Sequence, residues 1–338
     1  MHFDFLICSE RSGSNLITKI LDAHSEVCGP SPTHLTRTGG LNLYRYGDLL
    51  REENWKTLVS DSVNLVQNKI AVWESRVEVE ELLKEIKDRK FSEIVRYIYE
   101  KEASAQGKKR LFVKENHTYS YISFLLSHFP EARFLWMVRD PRDMALTWKE
   151  AGTAQGGVKS GAKMWLHDQS ESLKAYGFLR DTGRIMRIRF EDLLTDTEST
   201  VRGVCDFLDL RFEPGMLEFH QQSNTAVNSN RLTSWKDLQK PVLKNNFNLF
   251  RDRLSEAENR YVELLCAEEM DIFGYSREYD FDVPAEEAAR EERLALLASQ
   301  LPPEPVERVF TEEEKKIYPP FFEAVKRFGE RKMWNTTE

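Results

Sequence analysis

Residues 5–24 read FLICSERSGSNLITKILDAH. The apolar run Phe5–Cys8 stops at Ser9-Glu10-Arg11-Ser12-Gly13-Ser14-Asn15, and apolar residues return at Leu16, Ile17, Ile20 and Leu21 with helical spacing. The pattern predicts a strand, a polar turn and a helix start. Such a corner aims backbone N–H groups, and the positive end of the helix, at a phosphate. It is not a nucleoside-triphosphate loop. That loop needs G-x-x-x-x-G-K-[ST], and this turn has one glycine and no lysine.

Other short apolar runs have the composition of buried strands: Leu111–Val113, Phe134–Val138 and Ile185–Phe190, the last alternating Arg187 and Arg189 with Ile188 and Phe190. Helical patterns lie between them, around Leu58–Trp73, Val79–Ile86 and Ile94–Tyr99. The alternation predicts an α/β fold, a central parallel sheet flanked by helices. Ligands of such sheets bind beyond the carboxyl ends of the strands, where the turn after Cys8 falls.

A second informative stretch, ARFLWMVRDPRDMALTWKE, spans residues 132–150. Arg139 falls at the carboxyl end of the Phe134–Val138 run. Asp140 is a good N-cap, Pro141 suits the first helical position, and Asp143 favours the positive helix terminus. Thr147 lies two turns into the helix. A guanidinium fork gives a phosphate two parallel hydrogen bonds, and a hydroxyl can add a third. Equally, the arginines of such a corner can pair with neighbouring carboxylates.

The 338 residues and a net charge of −8 fit a soluble α/β protein and exclude one that coats nucleic acid, which needs a dense basic surface. A few arginines in one cleft still suffice for a small anion. Cys8, Cys28, Cys205 and Cys266 form no C-x-x-C pair and are expected as buried free thiols. No stretch approaches the roughly 18 apolar residues of a membrane span, and no signal peptide is recognisable, so a cytoplasmic location is expected.

Taken together, the two stretches resemble the PAPS-dependent sulfotransferases. In that family a basic residue followed by S-G-T-T wraps the 5′-phosphate and sulfate of 3′-phosphoadenosine-5′-phosphosulfate (PAPS), and Arg11-Ser12-Gly13-Ser14-Asn15 matches it. An arginine and a serine eight residues on bind the 3′-phosphate, and Arg139 with Thr147 matches that pair. The segments RIRFEDLLTDTESTVRGVCDFLDLRFEPGMLEF and LQKPVLKNNFNLFRDRLSEAENRYVELLCAEEMDIFGY are similar to later parts of the family, and LDAHSEVCG to its tyrosylprotein and carbohydrate branches. The resemblance covers residues 1–280 as a sulfotransferase domain with a P-loop-like fold. Residues 281–338 are left as a helical C-terminal extension.

The resemblance implies sulfuryl transfer to a hydroxyl or amine of a small-molecule or carbohydrate acceptor, adenosine 3′,5′-bisphosphate (PAP) as product, and no metal site. It implies that Arg11 stabilises charge growing on the leaving oxygen. The acceptor must lose a proton, and three candidate bases stand near the family's positions: His117 in VKENH, Glu115 in the same turn, and His34 in CGPSPTHL. Lys114 is a candidate for the sulfate oxygens, and Phe190 stands where relatives place a tyrosine near adenine. The R-K-G triplet of cytosolic members is absent; Lys240 or Arg231 is the candidate for its work on the 3′-phosphate. Glu10 and Asn15 depart from the family pattern, the first by bringing negative charge, the second by replacing a hydroxyl with an amide. A small-molecule kinase and a non-catalytic nucleotide-binding protein of the same fold are the alternatives.

In the extension, DVPAEEAAREERLALLASQ reads as an acidic amphipathic helix broken by LPPEPVE, and Thr311 and Glu314 are spaced as a capping box before a second helix. The extension is a candidate arm, lid or homodimer contact. The glycine-rich residues 152–163 are expected to form a mobile loop.

Overall fold

A computed structural model describes residues 1–151, 156–279, 283, 286–304 and 307–331. The strands are β1 (His2–Cys8), β2 (Val27–Cys28), β3 (Arg110–Lys114), β4 (Phe134–Val138) and β5 (Ile185–Arg189). They pair in parallel in the order β2-β3-β1-β4-β5. β1 is central, with Leu6 opposite Lys114 on β3 and Cys8 opposite Met137 on β4. The chain therefore leaves β1, β3 and β4 side by side at one edge of the sheet, and residues 9–15, 115–118 and 139–143 meet there.

Both faces of the sheet are covered, so the strands are apolar on both sides. Phe3, Phe5 and Ile7 of β1 and Phe134, Trp136 and Val138 of β4 point into the larger core, together with Glu52–Gln67, Phe91–Ala105 and Gly157–Leu179. Leu6, Cys8, Leu135 and Met137 point the other way, onto Ile17, Ile20 and Leu21 of the helix Ser14–Asp22. This period of two follows from the pleat. All four cysteines are buried free thiols.

Several expectations need correction. The strand expected to reach Phe190 ends at Arg189, and Phe190 opens the helix Phe190–Thr195. The helix expected to run to Trp73 stops at Gln67, where the Asn68 side chain turns back onto the Asn64 carbonyl at 2.8 Å. β2 carried no pattern, since two residues show no alternation. The glycine-rich stretch is helical from Gly157, because Gly161 lets the helix lie against Ala145 and Trp148, where a Cβ would meet atoms at 2.8–3.0 Å. Residues 152–155 of that stretch lie outside the described residues.

In the extension, helices occupy Glu287–Ser299 and Glu314–Glu330. Thr311 and Glu314 exchange bonds as a capping box does: the Glu314 amide donates to Thr311 Oγ1 at 3.2 Å and the Thr311 amide to Glu314 Oε2 at 3.0 Å. Ile317, Phe321, Ala324 and Phe328 are buried within the same chain.

Candidate active site

Beyond the carboxyl edge of the sheet lies a cavity of about 1340 Å³. The loop after β1 forms part of its wall, with Arg11, Gly13, Ser14 and Asn15 on the lining. Arg11 and Gly13 both take left-handed backbone, at φ 67° and 87°. Gly13 has a second constraint, because a Cβ there would sit 2.2 Å from the Phe190 ring. Among the described residues, the amides of Ser12, Gly13, Ser14 and Asn15 donate to no protein acceptor. Four donors gathered at a helix start, with no internal acceptor, form a receptor for an anion. Ser12 contributes only its backbone; its buried hydroxyl donates to the Ser9 carbonyl at 2.7 Å.

The corner after β4 separates two arginines that look alike in sequence. Arg142 is held by Asp140 at 2.7 Å and Glu263 at 2.6 Å, over the Phe250 ring. Arg139 is 7% exposed and has no carboxylate within ion-pair distance among the described residues. Its Nη1 donates to the Arg11 carbonyl at 2.9 Å and reaches Thr147 Oγ1 at 3.5 Å, while its Nε is buried without a partner. The guanidinium lies 4.6 Å from the Phe190 ring centre. Burial, only partly offset by Asp143, Glu191 and Asp140, holds its pKa below the usual arginine value. A buried cation without a counter-ion is strongly disfavoured unless an anion joins it.

The corner is braced from behind. Glu191 accepts from the Asp140 amide at 2.9 Å and from Tyr275 Oη at 2.9 Å, and Trp165 Nε1 donates to the Arg139 carbonyl at 2.8 Å. Asp143 accepts from the Asn248 and Phe250 amides at 2.5 and 3.0 Å and acts on Arg139 only from beyond ion-pair distance.

The corner after β3 brings Lys114, Asn116 and His117 to the same cavity. Lys114 is 6% exposed and makes no hydrogen bond or ion pair through its amine among the described residues, and Asn116 Oδ1 is buried without a partner. His117 sits at φ 58° with Nδ1 2.7 Å from Tyr119 Oη and 3.4 Å from Asp168 Oδ1. Tyr119 in turn donates to Asp168 Oδ1 at 2.6 Å. The chain of bonds puts the imidazole proton on Nδ1 and leaves Nε2 as the basic nitrogen.

The other two candidate bases stand differently. Glu115 is not on the cavity wall. It is fully buried and accepts from the Arg37 amide at 2.7 Å, Tyr99 Oη at 2.8 Å and the Thr36 amide at 3.2 Å, anchoring the 33–37 turn. Burial raises its pKa against these bonds. His34 lines the cavity, but burial, then Lys114, Arg37 and His117, press its pKa down to about 3. A nitrogen so weakly basic is a poor proton acceptor.

Of the two candidates for the missing triplet, Lys240 lies on the cavity wall, paired with Asp237 at 2.8 Å, while Arg231 does not; its Nε donates to the Ile70 carbonyl at 2.7 Å. Glu10 is on the wall, close enough to Tyr318 of the C-terminal helix to act on its phenol. Tyr119 and Asp168 escaped the sequence reading because Asp168 sits mid-helix, 49 residues from Tyr119, with no local pattern to mark it.

The fold and site thus define an α/β protein with an anion receptor at the central strand of its sheet and a histidine–tyrosine–aspartate chain beside it. The Sulfotransferase family model matches residues 5–214, and the chain belongs to that family. It is 23% identical over 246 residues to a Caenorhabditis briggsae protein that carries a protein-tyrosine sulfotransferase name, covering 67% of this chain and 78% of that one. It is 21% identical over 155 residues to sulfotransferase 2A6 of Rattus norvegicus, covering 42% of this chain and 55% of that one. Among solved structures, it shares its fold with the sulfotransferase domain of the Synechococcus PCC 7002 olefin synthase, at TM-score 0.56 and 17% identity, covering 83% of this chain and 96% of that one. No helix among the described residues is long and apolar enough to cross a membrane.

Proposed function

We propose that this sulfotransferase takes its sulfuryl group from PAPS and passes it to a hydroxyl or amine by in-line displacement. The observation that carries the donor assignment is Arg139, a buried guanidinium that no carboxylate pairs among the described residues, on the same cavity as Gly13, Ser14 and Asn15, whose amides donate to no acceptor among those residues. Two separate anion receptors on one cavity suit a donor with two phosphate positions. Bound there, PAPS supplies a sulfuryl group attached to a phosphate leaving group.

The residues divide the work. The 12–15 amides hold the 5′-phosphate. Arg139 and Thr147, with Lys240 on the lining of the same cavity, hold the 3′-phosphate. Phe190, fixed between Gly13 and Arg139, offers a face to the adenine. Arg11 opposes the charge that grows on the leaving oxygen, and Lys114 faces the sulfate oxygens. A new bond forms from the acceptor oxygen or nitrogen to sulfur while the bond from sulfur to the phosphate oxygen breaks. The acceptor proton goes to His117 Nε2, and the electron pair leaves with the product PAP. Asp168, through Tyr119, keeps the proton on Nδ1 and steadies the imidazolium.

Separate titrations with PAP and with ATP, each with and without magnesium, test the donor. Magnesium-independent binding of PAP tighter than of ATP is expected, and magnesium-dependent ATP binding would favour a kinase. Mass spectrometry of reactions with PAPS then separates an enzyme from a binding protein: the product gains one sulfate, or nothing changes.

A further inference from the structure

The C-terminal extension lies beyond residue 214, where the family match ends, yet it builds one end of the cavity. Phe310, Tyr318, Phe321 and Phe322 form a continuous aromatic surface. Phe310 and Tyr318 have ring centres 4.9 Å apart, Tyr318 and Phe322 stack at 5.4 Å with planes 19° apart, and Phe321 follows at 5.6 Å. Arg308 lies 5.2 Å from the Phe322 ring, and His34 lies 5.4 Å from Phe321, which joins the surface to the 33–37 turn. Large apolar side chains are left open on this wall: Phe322 is 38% exposed, Leu41 43% and Val309 71%.

The surface is held in place at several points. Arg331 makes a bidentate pair with Asp61 at 2.6 and 2.8 Å, Glu314 accepts from the Thr233 amide at 3.0 Å, and Glu304 accepts from the Ser160 amide at 3.1 Å. It also reaches the reacting end. Tyr318, Arg11 and Glu10 line one cavity, and the Tyr318 phenol feels both charges. A rigid apolar wall that ends at the arginine of the anion loop positions an acceptor rather than a donor.

We infer that the aromatic surface of residues 310–322 is the acceptor shelf, and that it selects a hydroxyl carried on a flat, apolar body such as a phenol or naphthol. This inference rests on the donor site assigned above. A flat ring gains by offset stacking on Tyr318 and Phe322 and by covering Leu41 and Val309, whereas a pyranose lays only a C–H face on a ring and brings its rim of hydroxyls against Leu41 and Val309, whose side chains offer no hydrogen bonds.

Isothermal titration of the full chain loaded with PAP tests this, with 2-naphthol and methyl β-D-glucopyranoside as probes. The expected result is binding of 2-naphthol, at least tenfold weaker binding of the glucoside, and a loss of about tenfold for 2-naphthol in Phe322→Ala and in Tyr318→Ala. PAP affinity should stay within twofold in both variants, which shows that they fold, and Phe322→Trp should retain 2-naphthol. Equal or tighter binding of the glucoside, or unchanged 2-naphthol affinity in both alanine variants, overturns the shelf. Failure of the wild-type chain to bind PAP overturns the donor assignment instead, and 2-naphthol titrated into the unloaded chain then judges the shelf alone.

Discussion

The two ends of the cavity are built in opposite ways. The end proposed for the donor comes from three strand-to-helix corners that parallel pairing places side by side, and it offers backbone amides and buried cations. The end proposed for the acceptor comes from the 33–41 turn and helix and from residues 308–325, far apart in the chain, and it is lined by rings. Chemistry common to a family can sit on the sheet, where local geometry is rigid. Selectivity can then be supplied by an added segment that changes without disturbing it.

If that division holds, the largest effect belongs to the base where the two ends meet. His117→Ala should lower kcat by about 10²–10⁴-fold, the usual contribution of a positioned base, with PAP affinity unchanged. Tyr119→Phe keeps the ring but breaks the bond chain to Asp168, and it should shift the acid limb of the pH–rate profile as well as lower kcat. A merely structural tyrosine would leave that profile alone. Unchanged turnover in His117→Ala would remove the base assignment.

Within the donor end, Arg11 and Arg139 should part company. Arg11→Ala is expected to reduce kcat by about 10²–10³-fold and PAP affinity much less, because its charge matters most as the leaving oxygen becomes negative. Arg139→Met should instead weaken PAP binding by about 10–100-fold, measured by calorimetry. It should also leave the melting temperature of the ligand-free protein equal or higher, since it removes a buried cation that forms no ion pair among the described residues. A lowered melting temperature together with normal PAP affinity would mark Arg139 as structural.

These differences also explain what could be read from residues alone. Arg11, Gly13, Arg139 and Thr147 are local signals, a turn between a strand and a helix and a capped corner, and they come together on one cavity. Ser12 was legible as a loop member, but the direction of its hydroxyl was not. Arg139 and Arg142 could not be told apart, because what separates them is Glu263, 121 residues from Arg142. Arg231 looked as available as Lys240 until the fold turned it onto the Ile70 carbonyl. Glu115 was chemically suitable as a base, and only the arrival of the Thr36 and Arg37 amides shows it as an anchor. The aromatic shelf was invisible for the same reason. Its helix was plain in the sequence, and the residues that hold it lie 81 to 270 positions away.

Gly13 offers a smaller test, at the contact between the loop and the Phe190 ring. Gly13→Ala must take left-handed backbone and push the Phe190 ring aside, so a loss of about 1–3 kcal/mol in stability is expected from denaturant unfolding. Pairing it with Phe190→Ala should restore part of that loss, because the clash is then relieved. If the two changes simply add, the contact does not constrain the loop.

His34 provides the smallest effect and the most direct view of the acceptor end. Its pKa lies near 3 in the folded protein, through burial and the nearby charges of Lys114, Arg37 and His117, against 6.5 for an ordinary histidine. Below pH 6.5 the unfolded chain takes up a proton at this position that the folded chain refuses until about pH 3. The folded state therefore loses stability as the pH falls through that window, on the order of 1 kcal/mol by pH 5 after allowance for solvent. His34→Phe removes the titrating group and keeps a ring against Phe321. Denaturant unfolding at pH 7 and pH 5 should show a smaller stability loss in the variant than in the wild type, by that amount. Equal losses would mean that His34 ionises freely, and an acceptor end that admits a charged imidazolium beside Phe321 is wet rather than apolar.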